Sequence, residues 1–208
     1  MTRPRLAVFD LGGVVVRICR TWDEACAAAG VAARSSRDPA AHGHLLAPVV
    51  RAHQRGELGC DDYAARLAGI LGGIGADEVR RVHDAWILGD YPGIASAIDR
   101  IHAAGLGTAC LSNTNASHWD RLHGSEAFRR IRTRHASHLL RLVKPDAEIY
   151  RAFERATGAV PADIIFFDDL PENIDAARAC GWNGVLVDHA GDTAAQVIGA
   201  LHAAGVQA

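Results

Sequence analysis

Lysine is nearly missing. The 208 residues carry 22 Lys and Arg together, yet Lys144 is the only lysine. Where arginine has replaced lysine almost everywhere, the surviving ammonium marks a place where a compact charge is needed and a planar guanidinium does not fit. A basic excess is also lacking: the formal net charge is −2, which argues against a nucleic-acid binder. The one basic run, Arg129-Arg130-Ile131-Arg132-Thr133-Arg134, reads as a solvated helix face or loop. No apolar run approaches the roughly 20 residues of a membrane span. Five cysteines (Cys19, Cys26, Cys60, Cys110, Cys180) are odd in number and scattered, with no Cys-x-x-Cys pair. Reduced thiols fit this pattern better than a disulfide scaffold or a zinc site. Met1 to Asp10 holds no h-region or small-residue cleavage site, so no signal peptide and a cytoplasmic location are expected. There is no Gly-x-x-x-x-Gly-Lys-Ser/Thr loop, and Gly72-Gly73-Ile74-Gly75 lacks the strand–helix setting of a dinucleotide site. His42 and His44 have no third ligand at useful spacing and read as a plain loop.

What is present is ordinary core material, 49% hydrophobic and 22% charged, in a length that suits a compact domain carrying an insertion. Leu6-Ala7-Val8-Phe9-Asp10 reads as a buried parallel strand breaking into the Leu11-Gly12-Gly13 turn. From about Thr21 to Trp86 the pattern is Ala-rich and helical, with breaks at Arg34 to His44 and Leu71 to Asp77. Gly89 to Gly93 reads as a turn cluster and return hinge. Helices and strands then alternate. Strands are expected at Gly107–Leu111, Ile164–Phe167 and Gly184–Val187, and helices at Ile94–Ala104, Asp146–Thr157, Asn173–Cys180 and Thr193–Ala204. This alternation predicts an α/β fold with a doubly wound parallel sheet. Its core would comprise residues 1–16 and 89–208, with a helical insertion over 17–88.

Three predicted strands end in polar groups: Asp10, Ser112-Asn113 and Asp168-Asp169. Ligands of an open α/β sheet bind beyond the carboxyl ends of its strands, so these groups converge on one crevice. Crowded carboxylates need a compensating cation, and an all-oxygen surround suits Mg²⁺, with Lys144 as a second positive charge.

The segments Phe9-Asp10-Leu11-Gly12-Gly13-Val14, Leu111-Ser112-Asn113, Lys144-Pro145 and Phe166-Phe167-Asp168-Asp169 resemble, in order, the four motifs of the haloacid dehalogenase superfamily. The resemblance covers nearly the whole chain and extends to a helical cap of the kind found in sugar-1-phosphatases and in the N-terminal phosphatase-like unit of epoxide hydrolases. It implies a Mg²⁺-dependent phosphatase acting on a small phosphorylated metabolite, as a monomer or homodimer. Asp10 would be the nucleophile forming an aspartyl-phosphate. Ser112, Asn113 and Lys144 would complete the catalytic and substrate-binding set. Asp10, the Gly12 carbonyl and Asp169 would hold the metal, with Asp168 behind them.

One position departs from the family pattern. Many family phosphatases carry a general acid–base aspartate two residues after the nucleophile, where this chain has Gly12. Such a group is worth about 10²–10⁴ in rate. Sugar-1-phosphatases with glycine there imply a leaving group that needs little protonation; His44, His53, Glu57 and His118 are the side chains available as substitutes. Two rival readings use the same residues. One is dehalogenation at carbon, which needs no metal and leaves Asp168-Asp169 without a purpose. The other is a binding module that lost activity at Gly12.

Overall fold

The computed structural model describes residues 3–32 and 42–208. Of the expected break from Arg34 to His44, residues 34–41 lie outside the described residues.

The chain opens with β1 (Leu6–Phe9) and turns into a short ribbon strand, β2 (Val16–Ile18). Among the described residues four helices follow: α1 (Trp22–Ala29), α2 (Gly43–Gln54), α3 (Cys60–Leu71) and α4 (Ala76–Asp84). The first is bounded by local chemistry. The Thr21 side chain accepts from the Glu24 amide at 3.1 Å, and Gly30 closes the helix at φ 63°. Strand β3 (Ile87–Asp90) returns antiparallel to β2. The remainder alternates as α5 (Ile94–Ala103), β4 (Gly107–Ser112), α6 (Ala116–Leu122), α7 (Glu126–Arg130), β5 (Thr133–Ala136), α8 (Ser137–Leu140), α9 (Ala147–Thr157), β6 (Ile164–Asp168), α10 (Pro171–Ala179), β7 (Asn183–Leu186) and α11 (Thr193–Ala203).

Five strands form one parallel sheet in the order β5-β4-β1-β6-β7. Successive side chains point to opposite faces, and both faces are covered. Phe9, Cys110 and Phe167 pack with Ile98 of α5 and Leu201 of α11. Val8, Leu111 and Phe166 pack on the other side with Tyr150 of α9 and Ile174 of α10. This is the expected doubly wound α/β architecture. A separate apolar cluster, including Ala25, Leu67, Leu71, Val79 and Val82, joins α1, α3 and α4. The chain leaves β1 toward β4 and β5, then crosses back to β6 and β7. The carboxyl end of β1 is therefore the switch point, with Ser112 on one side and Asp168 on the other.

Several expectations are corrected. Gly89 and Asp90 belong to β3 and not to a turn, and the Asp90 carboxylate binds Ser125 Oγ and the Ala127 amide at the start of α7. Edge strand β5 was not expected at all. Its Thr-Arg-His-Ala sequence lacks an apolar run because an edge strand is protected by charge. The basic run splits between α7 and β5. Arg129 donates to the His123 and Gly124 carbonyls, Arg130 pairs with Asp99, and Arg134 lies 4.7 Å over the Phe128 ring. His44 lies in helix α2, not a loop.

No helix among the described residues is long and apolar enough to cross a membrane. All five cysteines are free.

Candidate active site

Asp10 follows β1 directly, and its amide continues the sheet by donating to the Phe167 carbonyl at 2.8 Å. The side chain is buried, so desolvation pushes its carboxyl up to about 6. Lys144 pulls it down, Asp168 and Asp169 push it up, and a hydrogen bond from Ser112 lowers it. Lys144 Nζ lies 3.1 Å from Asp10 Oδ1, an ion-pair contact outside hydrogen-bond alignment that leaves Oδ1 without a hydrogen-bond partner.

The lysine side chain is fully buried and also meets Asp168 Oδ2 at 2.6 Å. Burial acts to lower its pKa, but the Asp10 and Asp168 carboxylates outweigh that and hold it above the usual range. Asp168 is in turn fully engaged. Asn173 Nδ2 donates to both its oxygens at 3.0 Å, and the Leu170 amide reaches Oδ1 at 2.9 Å. Asn113 exchanges two bonds with the Lys144 backbone: Nδ2 donates to the carbonyl at 2.9 Å, and Oδ1 accepts from the amide at 2.8 Å. Its side chain therefore holds the lysine loop in place. The residue also lines a cavity beside Ser112.

Asp169 Oδ2 pairs with Arg20 Nη1 at 2.7 Å. Their close approach explains Gly13. At φ +82°, a Cβ there would lie 2.3 Å from Asp169 Oδ2 and 2.5 Å from Arg20 Nη2. Gly12 faces a different constraint, because a Cβ would stand 3.0 Å from Ile18 Cδ1. The β2 side chain thus fills the space that a side chain at Gly12 would enter. Gly12→Ala is expected to cost about 1 kcal/mol by overpacking, and Ile18→Val should recover most of that loss in a double-mutant denaturation cycle.

Above the strand ends lies a cavity of about 280 Å³ whose walls include Gly12, Ser112, His53, His83 and His118. Of the four side chains expected as proton donors, His53 and His118 line it. His44 and Glu57 are exposed and do not, which removes them. His83 was missed by sequence reasoning, although Val79, Val82 and His83 share one buried helical face. It stacks on His118 at 4.0 Å between ring centroids and stands 5.2 Å from His53. Burial, His118 and His53 push His83 down to about 3, while the Asn115 bond opposes them. Burial likewise lowers His53 and His118. Their protons are committed to the protein. His118 Nε2 donates to the His83 carbonyl at 2.7 Å and His53 Nδ1 to the Leu58 carbonyl at 2.8 Å, since a carbonyl can only accept. Arg20 and Asn173 also escaped the sequence reading. The asparagine could have been found as a polar residue one helical turn beyond Asp168-Asp169.

Oxygens of Asp10, Asp168 and Asp169 lie within 4.8 Å of one another, the only such group among the described residues. Asp168 is saturated by donors, whereas Asp10 Oδ1 lacks a hydrogen-bond partner and Asp169 is paired with one arginine. Hard, closely spaced carboxylate oxygens with an unsatisfied acceptor fit a small divalent cation such as Mg²⁺.

The family model for haloacid dehalogenase-like hydrolases matches residues 4–181. A curated relative, phosphatase MT3486 of Mycobacterium tuberculosis (strain CDC 1551 / Oshkosh), is 27% identical over 137 residues. These are 65% of this chain, and the match spans 63% of the relative's length. Among solved structures, an enzyme of the same family, BT-2542 from Bacteroides thetaiotaomicron, crystallised with magnesium and inorganic phosphate, superposes with TM-score 0.76 at 15% identity. That alignment covers 91% of this chain and 96% of the other. L-2-haloacid dehalogenase from Xanthobacter autotrophicus superposes with TM-score 0.60 at 19% identity, covering 88% of this chain and 77% of its own.

Proposed function

Because the chain belongs to the haloacid dehalogenase-like hydrolase family, we propose that it is a Mg²⁺-dependent phosphatase of a small phosphorylated metabolite, working through an aspartyl-phosphate on Asp10. The observation that carries this reading is the carboxylate cluster of Asp10, Asp168 and Asp169 around one buried lysine. Dehalogenation at carbon needs no metal, whereas phosphoryl transfer gathers negative charge that a metal and a lysine offset. The named activity of the mycobacterial relative and the magnesium and phosphate bound by the Bacteroides enzyme agree with it.

Asp10 attacks phosphorus, the bond to the ester oxygen breaks, and water then cleaves the acyl-phosphate to regenerate the carboxylate. Ser112 and the backbone after β4 hold the phosphoryl oxygens, while Lys144, positioned by Asn113 and Asp168, offsets their charge. Asp10, the Gly12 carbonyl and Asp169 would hold Mg²⁺, which supplies charge neutralisation when bound, with Asp168 orienting Lys144 behind them. Residues 17–88 act as a cap over the crevice, with β2 and β3 as its two stems. With Gly12 beside the nucleophile and the cavity histidines' protons committed, the leaving group departs with little protonation, which suits an anomeric sugar phosphate.

Purified protein is expected to release phosphate from 4-nitrophenyl phosphate with Mg²⁺. Chelation should lower the rate at least ~100-fold, and added Mg²⁺ should restore it. Release no greater than that of Asp10→Asn would sink the reading. Arg20 competes with the metal for Asp169, so Arg20→Gln should tighten Mg²⁺ binding about tenfold by calorimetry, roughly 1.4 kcal/mol. Unchanged or weaker binding would count against Asp169 as a ligand.

A further inference from the structure

The cavity bounded by Leu11 and Gly12, the two residues after Asp10, and by Ser112 has a distinctive chemistry. Among the described residues its walls hold no Lys, Arg, Asp or Glu side chain. Ile18, Val50, Tyr63, Trp86, Ile87 and Leu122 supply most of the apolar wall, and the polar groups are the three histidines, Gln54 and the 112–115 segment (Ser-Asn-Thr-Asn) at the end of β4. Those histidines do not supply charge at neutral pH. Each is held below its ordinary range chiefly by burial, and His83 sits against the other two. The positive groups of the site, Lys144 and Arg20, do not line the cavity and are both paired with the site's carboxylates.

From this arrangement we infer that the substrate is a phosphate monoester of an uncharged alcohol with an apolar or aromatic face, carrying no carboxylate, second phosphate or ammonium group. The inference rests on the phosphatase reading and goes beyond it by fixing the class of leaving group. A second anionic group carried into the cavity would lose its hydration and meet neutral imidazoles and aliphatic walls. An ammonium would find no carboxylate there. An uncharged ring would lie against Tyr63 and Trp86, with amide and imidazole groups able to bind a few hydroxyls. The volume of about 280 Å³ limits the alcohol to about one ring.

The test uses isosteric esters, 4-carbamoylphenyl phosphate and 4-carboxyphenyl phosphate, assayed with Mg²⁺ at pH 7.5. Expected is a kcat/KM at least ~10-fold higher for the carboxamide; a smaller ratio overturns the inference. Gln54→Lys places an ammonium on the cavity wall, and Val50→Lys does so from one helical turn earlier. At least one of them should reduce the ratio about tenfold, to near unity. If both folded variants keep the wild-type ratio, discrimination arises outside this cavity and the inference falls. Calorimetric binding of the free phenols separates the two levels of the reading. If no ester is hydrolysed, the phosphatase reading fails. In that case 4-hydroxybenzamide binding at least ~10-fold tighter than 4-hydroxybenzoate upholds the uncharged cavity, and equal binding overturns it.

Discussion

Asp10→Asn is expected to abolish phosphate release, by at least ~10⁴-fold in kcat, while leaving a metal-free protein as stable as the wild type or more so. The loss follows because an amide is too poor a nucleophile to displace an ester oxygen. The stability follows from burial, since the Asp10 carboxyl is pushed up to about 6, so the charged form is disfavoured in the fold. A native acid with a raised pKa binds more protons than the unfolded chain between about pH 4 and 6. Its contribution to stability therefore falls as pH rises through that window and stays low above it. Two pH units correspond to roughly 3 kcal/mol, an upper bound on what the asparagine recovers. Lys144 keeps its bond to Asp168 in the variant, so the charge it leaves behind is still paired. Urea midpoints of both proteins with chelator, at pH 4 and pH 7.5, read the effect. The variant should gain on the wild type as pH rises; a variant less stable at pH 7.5 would show that Asp10 is stabilised by Lys144 more than it is strained by burial.

How far the sequence exposes this site depends on what kind of element carries each residue. β1, β4 and β6 are buried on both faces, so their apolar runs stand out and their polar ends mark the crevice. Asp10, Ser112, Asp168 and Asp169 were legible for that reason, and Lys144 because nothing else in the chain is a lysine. Strand β5 and the β2–β3 ribbon were not legible. They are short and lie at an edge or outside the main sheet, so their pairing comes from tertiary placement and not from periodicity. Arg20 comes from the link between β2 and α1, and His83 from α4. Nothing local in the sequence says that Arg20 reaches Asp169 across 149 residues, or that α4 turns His83 toward His118. At Gly12 the sequence shows only that no acid stands there. Its consequence depends on Ile18, whose side chain occupies the adjoining space.

Lys144→Met is expected to cost about 3–5 kcal/mol of stability at pH 7.5 and to remove measurable turnover. Methionine matches the length of the buried stem, so the loss isolates the ammonium. Without it, Asp10 and Asp168 face each other as buried carboxylates with no cation, and Asp168 retains only the Asn173 and Leu170 donors. Part of the penalty is relieved by protonation: one of the two acids takes up a proton, and the variant gains stability as pH falls from 7.5 toward 5. Added Mg²⁺ should raise the variant's melting temperature more than the wild type's, because it meets a more negative site. Lys144→Arg should not rescue activity. The lysine side chain is fully buried between two carboxylates, and a guanidinium there needs room for five donors where the fold provides for one ammonium. In a chain that uses arginine almost everywhere else, that steric limit accounts for the lone lysine. An active Lys144→Arg protein would remove the explanation and leave the residue as an accident of composition.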